Sequence, residues 1–321
     1  MKLLTPLCPD TRLDDLIPFR KDIELYAGFM DSAWEDRFGS GYGLNRMSSF
    51  SNGANYASFS QLLEAASQAA ALGIPIHITC NALSYNREQI DFFRQRYLEP
   101  LREIGHAGII TSSAEMVKSA RELNLFVSVS TISGVYNAAA ARVYRDAGAN
   151  SVILPRELTL EEIISIIQKT PGIEFEAFLM NSGCRFSDSV CMGCHIPQQG
   201  GLCQMLDQSK GELHGLASGF DLQCQRISSL IYHRFFMRDA CGLCALYRLL
   251  KSGVRRGKIV GRSAGSRVIL RTLGWVLRNL EIAESCDDEE TYLRRMQVPP
   301  GMDQRCAGGF NCYYPEVVFH G

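Results

Sequence analysis

Twelve cysteines are spread over the 321 residues, and their spacing is where chemistry first shows. Cys184 and Cys191 lie seven apart just past a strand-like run, Cys203 follows a Gln-Gly-Gly turn, and Cys241 opens a helical stretch. Thiolates brought to one point can hold a soft metal centre, and the Gly- and Ser-containing stretches 181–183 and 198–201 let the backbone deliver them. Two Cys-x-x-Cys pairs, Cys191 with Cys194 and Cys241 with Cys244, would also suit the knuckles of a zinc site. The bland alternative is a set of thiols acting as small buried hydrophobes. His195 is a further candidate ligand, although a loop histidine is more often merely solvated.

A second set of residues sits where strands end. Asn81 follows the third strand-like run, Asn137 the fifth, Arg156 and Glu157 the sixth, and Glu176 lies within the seventh. Arg156 offers a planar fork for a carboxylate or phosphate, so substrate binding is favoured there. An ionised Glu176 in an apolar strand is costly unless paired, which makes it either a proton-transfer group or the buried partner of Arg156 or Lys258. Asn81 and Asn137 are candidate substrate contacts and Glu157 a candidate catalytic carboxylate. Asn137 and Glu157 can equally serve as caps of the helices that follow them. His77 and His106 have no neighbouring motif that makes either a base, and His-Glu-x-x-His does not occur, so the zinc-protease reading loses its usual support.

Eight short apolar, β-branched runs must position these groups: 2–5, 23–27, 74–79, 108–111, 126–130, 151–154, 174–180 and 258–261. Helical periodicity fills the intervals at 11–17, 59–72, 87–104, 114–123, 136–147, 159–168, 223–252 with breaks, and 264–283. Eight strand–helix units predict an α/β fold, a (β/α)8 TIM-type barrel, because parallel strands require crossovers and closure removes both sheet edges. An open doubly wound sheet is the rival, weakened by the lack of a Gly-x-Gly-x-x-Gly turn after the first strand. The expected organisation is a barrel over 1–283, with a cysteine-rich insertion at 181–244 after strand 7, and a C-terminal extension over 284–321 packed on the barrel. That extension carries Cys306 and Cys312. The segment 39–53 forms a second long loop suited to a lid.

A net charge of −1, from 33 basic and 34 acidic residues, argues against a bulk polyanion partner. One local basic run, Arg248, Lys251, Arg255, Arg256, Lys258 and Arg262, is the only plausible phosphate-facing feature, and a solvated face is the commoner meaning of such a run. No stretch has the ~18–20 uninterrupted apolar residues of a membrane span. The start MKLLTPLCPD lacks a continuous apolar signal segment, so the thiols are read as cytoplasmic and reduced.

Asp239, Cys241, Gly253, Val254, Lys258, Ile259, Gly261 and Arg262 form an Asp-x-Cys helix start, a Gly-Val helix end and a Lys-Ile-x-Gly-Arg strand, a combination that resembles peptidase family U32. Glu176-Ala-Phe178 leading into Cys184 and Cys191 is similar to the family's Glu-x-Phe and Cys-x6-Cys signature. The 199–203 and 155–160 segments resemble its third cysteine segment and its Arg-Glu-Leu-Ser-Leu motif. The resemblance implies a 4Fe-4S cluster on Cys184, Cys191, Cys203 and Cys241, with Cys194 and Cys244 as substitutes peculiar to this chain and zinc as the alternative. It further implies oxygen-independent hydroxylation or a related redox modification of a small aromatic or nucleobase ring, with prephenate as oxygen donor. A small-molecule substrate is favoured over RNA, because the domain appended in longer RNA-modifying relatives is not seen here. Short members that work as a heterodimeric pair in ubiquinone biosynthesis imply a homologous U32-type partner or an electron donor. The alternatives are a peptidase with structural cysteines and a non-enzymatic cluster carrier.

Overall fold

The computed structural model describes residues 1–39, 43–47, 53–82, 84–181, 187–189, 240–302 and 312–317. Eight parallel strands close into a barrel in chain order: β1 Lys2–Pro6, β2 Ile23–Ala27, β3 Ile76–Cys80, β4 Ala107–Thr111, β5 Phe126–Val129, β6 Ser151–Ile153, β7 Glu174–Met180 and β8 Arg256–Ile259. β8 pairs with β1 through Lys2–Arg256, Leu3–Gly257 and Leu4–Lys258, so no sheet edge is left open.

The helices that follow the strands are α1 Ser32–Phe38, α2 Phe59–Ala71, α3 Arg87–Phe93, α4 Glu99–Arg102, α5 Ala114–Glu122, α6 Ala138–Asp146, α7 Leu160–Lys169, α8 Leu246–Lys251, α9 Ser266–Glu284 and α10 Glu289–Arg295. Most starts are set by a side chain that accepts from an otherwise orphaned backbone N–H. Ser58 caps α2, Ser113 caps α5 and Asp288 caps α10, while Asn86 with Gln89 and Thr159 with Glu162 form reciprocal boxes on α3 and α7.

Three elements depart from the periodicity. The helix expected over 87–104 is interrupted by a π-type turn at Arg94–Leu98, just before Pro100, which has no N–H to donate. The first expected helix is a 3-10 segment, Leu13–Phe19, containing Pro18. Just before the proposed lid, residues 32–38 form a helix outside the expected set, because Trp34 is buried in an aromatic cluster with Phe38, Phe92 and Phe93, at centroid separations of 4.6, 6.1 and 5.6 Å. Asp31 caps that helix and pairs with Arg96 at 2.9 Å. The C-terminal extension also contains a helix, α10.

Residues 312–317 lie across the carboxyl end of β7. Tyr314 donates its hydroxyl to the Phe178 carbonyl at 3.0 Å, the Tyr313 hydroxyl reaches the Asn181 carbonyl, and Glu316 accepts from the Leu160 N–H at 2.7 Å, at the start of α7. Among the described residues no helix is long and apolar enough to cross a membrane.

Candidate functional site

Branched aliphatic side chains usually fill such barrels, but here polar groups run through the interior. At the amino ends of the strands, Arg256 on β8 donates to Glu24 on β2 at 2.7 Å. Strand β1 lies between those two strands, so both side chains must point inside the cylinder. His77 approaches the same Glu24 oxygen at 2.8 Å, Glu174 pairs with Arg256, and the guanidinium stacks 4.7 Å from the Phe126 ring. Burial pushes the Glu24 carboxyl up, but the bonds from His77 and Arg256 outweigh it and leave the group at about 2.

One layer up, Glu176 is fully buried and its Oε1 accepts from the hydroxyls of Ser128 at 2.6 Å and Ser151 at 2.9 Å. The expected ion pair of Glu176 with Arg156 or Lys258 does not form; hydroxyls of Ser151 on the adjacent β6 and Ser128 on β5 hold Oε1, while Oε2 has no hydrogen-bond partner among the described residues. The Lys258 ammonium lies 3.8 Å from the centre of the Tyr26 ring and makes no hydrogen bond in the structure. Burial drives Lys258 down to about 7 against the attraction of Glu176, helped by repulsion from Arg156 and Arg262. A side chain near that value can give or take a proton near neutral pH.

At the carboxyl ends, Arg262 is buried and, among the described residues, donates to neutral acceptors: Thr79 at 2.9 Å, Asn45 at 3.1 Å and Asn55 at 3.2 Å. Burial brings its guanidinium down to about 10. Gly28 makes this possible, since a Cβ there would sit 1.7 Å from Arg262 Nη1. Beside it, Asp188 is gripped by Arg46 and Arg156 and accepts from the Thr131 hydroxyl at 3.2 Å. Burial pushes the Asp188 carboxyl up, but the two guanidiniums more than compensate and hold it well below the usual carboxylate range. Arg156 also stacks 4.0 Å from the Phe178 ring.

Of the cysteines named from the sequence, Cys184, Cys191, Cys194 and Cys203 lie outside the described residues, as do His195 and Cys306. Cys241 is buried at the end of β7, where it bridges Met180 on one side and Cys312 on the other. Cys244 hydrogen-bonds to Cys312, which lowers the Cys312 thiol from its ordinary value. Three thiols thus gather at the mouth, a donor chemistry suited to a soft metal, although among the described residues no group of three donors is already arranged around one point. Of the implied set, Cys241 is the one that lies among the described residues, and it stands at the carboxyl end of the barrel.

The strand-end residues separate into two groups. Asn81 faces the mouth, accepting from the Arg46 N–H at 3.2 Å and donating to Ser130 at 3.1 Å. Arg156 and Glu176 line the interior. Asn137 accepts from the Ala140 N–H at 2.9 Å as the N-cap of α6, and Glu157 is exposed while Thr159 takes the cap of α7. The basic run does not form a phosphate-facing stripe: Arg256, Lys258 and Arg262 are buried in the barrel and Arg248 pairs with Glu289 at 2.7 Å. Sequence reasoning missed Asp188 and Arg46, which carry no local signal. It also missed Glu24, whose signal was a carboxylate within an otherwise apolar strand. Alternation along β8 would have placed Arg256 and Lys258 on one face.

A parallel (β/α)8 barrel with charged groups lining its interior and thiols at its carboxyl mouth is the class of protein that this fold defines. A sequence model of Peptidase family U32 matches residues 42–298, and the chain belongs to that family. Among curated proteins it is similar to tRNA hydroxylation protein P1 of Bacillus subtilis (strain 168), 28% identical over 173 residues, covering 52% of this chain and 39% of that one. It is also similar to tRNA hydroxylation protein P of Escherichia coli (strain K12), 29% identical over 127 residues, covering 39% of this chain and 28% of the relative. The matches therefore span well under half the length of those relatives. Among solved structures, the U32 peptidase Mk0906 aligns at a TM-score of 0.45 and 14% identity, over 62% of this chain and 78% of that one.

Proposed function

We propose that this chain is an iron–sulfur protein supporting an oxygen-independent hydroxylation, with its working site at the carboxyl mouth of the barrel. The observation that carries the reading is the position of Cys241, next to Cys244 and Cys312 and on the rim of a polar interior, in a family whose similar members are named for tRNA hydroxylation. Cys184, Cys191, Cys203 and Cys241 would hold a 4Fe-4S cluster, with Cys194 and Cys244 as the substitutes. When bound, such a cluster supplies one-electron chemistry or an iron site for a substrate atom.

The chain's own residues supply binding and proton handling. Arg262, held by neutral partners, suits a carboxylate on the oxygen donor, for which the family resemblance points to prephenate. Lys258, near neutrality, and Glu176, held by two serines, suit proton transfer within the barrel. Because Arg256, Lys258 and Arg262 of the basic run turn into the barrel and Arg248 pairs with Glu289, leaving Lys251 and Arg255 exposed, a small aromatic or nucleobase ring fits the site better than an RNA surface, and a homologous subunit or electron donor completes the system. Anaerobic purification followed by iron, sulfide and visible-absorption analysis tests the reading. Iron and sulfide in equal amounts with a reductant-bleachable absorption are expected. Zinc without sulfide, or peptide cleavage by metal-free protein, would overturn it in favour of a structural-cysteine hydrolase.

A further inference from the structure

We propose that Asp188 is a positioning residue that fixes the cysteine-bearing connection after β7 to the barrel mouth. Its carboxylate joins four loops. Arg46 comes from the connection after β2, Thr131 from that after β5, Arg156 from that after β6, and Asp188 itself from that after β7. Only 1% of the Asp188 side chain is exposed, and both its oxygens are engaged by charged partners.

A second set of contacts holds the neighbouring residues. The Tyr136 hydroxyl bonds Ser187 and also Ser189, the latter at 3.0 Å, and the two serines bond each other at 2.8 Å. Gly134 allows this approach: its φ is +62°, and a Cβ there would sit 3.0 Å from Ser189 Cβ. Cys184 precedes Asp188 by four residues and Cys191 follows by three. Full extension allows them at most about 14 Å and about 11 Å of chain from the anchored Cα. An anchor this close restricts the volume that both thiolates can search, which is what a ligand set drawn from separate elements requires. The role rests on the cluster reading for its purpose, but the anchoring can be tested without it.

The test uses the full chain with Asp188→Asn, Asp188→Glu and Tyr136→Phe. After anaerobic reconstitution, iron release to a ferrous chelator is timed; in parallel, metal-free reduced protein is alkylated with iodoacetamide and each cysteine is followed by peptide mass spectrometry. Asp188→Asn is expected to release iron about tenfold faster and to speed alkylation of Cys184 and Cys191 while buried Cys80 is unchanged. Asp188→Glu should restore part of both, and Tyr136→Phe should shift both in the same direction by less. Unchanged release and alkylation in Asp188→Asn would overturn the proposal. A uniform rise at all thiols, Cys80 included, would also overturn it, by making Asp188 a general stability residue. Should Asp188→Asn not fold, Tyr136→Phe decides by the same criteria. Wild-type protein without iron would overturn the cluster reading alone, and the alkylation rates would still decide the anchoring.

Discussion

The two ends of the barrel use buried charge in opposite ways. At the amino end, Arg256 meets two carboxylates, Glu24 and Glu174, and Glu24 also meets His77, so each charge has an opposite partner. At the carboxyl end, among the described residues, Arg262 donates to amide and hydroxyl oxygens and the Lys258 ammonium lies against the face of a tyrosine, while Asp188 is held by Arg46 and Arg156. A compensated network far from the mouth holds strands together. Arg262 and Lys258, buried among the described residues with no carboxylate at hydrogen-bond distance, cost stability, and buried charge of this kind is characteristic of ligand sites. The division agrees with the general rule that chemistry in these barrels gathers at the carboxyl ends of the strands.

The sharpest way to break this comparison is Arg256→Met. It leaves Glu24 buried beside His77 alone and should destabilise the fold by about 3–5 kcal/mol in urea denaturation. A cost no greater than that of the mouth substitutions would remove the distinction. The same carboxylate sets an acid limb: its value falls from 4.5 in the unfolded chain to about 2 in the fold, so its contribution is present above about 4.5 and is lost as pH falls towards 2. Stability measured against pH should flatten across that window in Glu24→Gln.

Arg262→Met strands only neutral acceptors, so a smaller loss of about 2 kcal/mol is expected, together with loss of hydroxylation-linked function in a complementation assay. Retained function would remove Arg262 from the site. Lys258→Met should go the other way, raising stability by roughly 1–2 kcal/mol. Its proton is held less tightly in the fold, at about 7 against 10.5, so the cost of burying the charge is complete below pH 7 and disappears as pH rises through 10.5. The gain from Lys258→Met should therefore be largest in mildly acidic buffer and fade in alkaline buffer. A gain independent of pH would mean that Lys258 is not a buried, depressed ammonium. The smallest effect is expected from Asn137→Ala, a loss of about 1 kcal/mol from the α6 cap without change in iron content; a change in substrate affinity instead would return Asn137 to the site.

Much of the scaffold was legible in the residues. The β2 and β7 runs coincide with observed strands, since short apolar β-branched stretches between amphipathic helices have few other uses. The expected helix over 223–252 can be followed only from residue 240, where it forms a 3-10 turn, Leu243–Ala245, and α8. Site residues were legible when the residue type was anomalous for its element, as with Glu176 in an apolar strand. They were not legible when the partner was remote: Arg46 and Asp188 are 142 residues apart, and nothing in either neighbourhood announces the other. The same holds for Cys312, whose approach to Cys241 and Cys244 depends on how the C-terminal residues cross β7.

The amino-acid sequence by itself determined the strand–helix alternation, the family and the thiols available to a soft metal, because these depend on local periodicity and on residue identity. Only the tertiary structure decided that Arg256, Lys258 and Arg262 turn into the barrel, that Asn137 is a helix cap, and that Asp188 joins four loops. Those outcomes depend on closing the cylinder, which brings side chains of distant strands into one low-dielectric space where each charge must find a partner, shed its proton or meet a ligand.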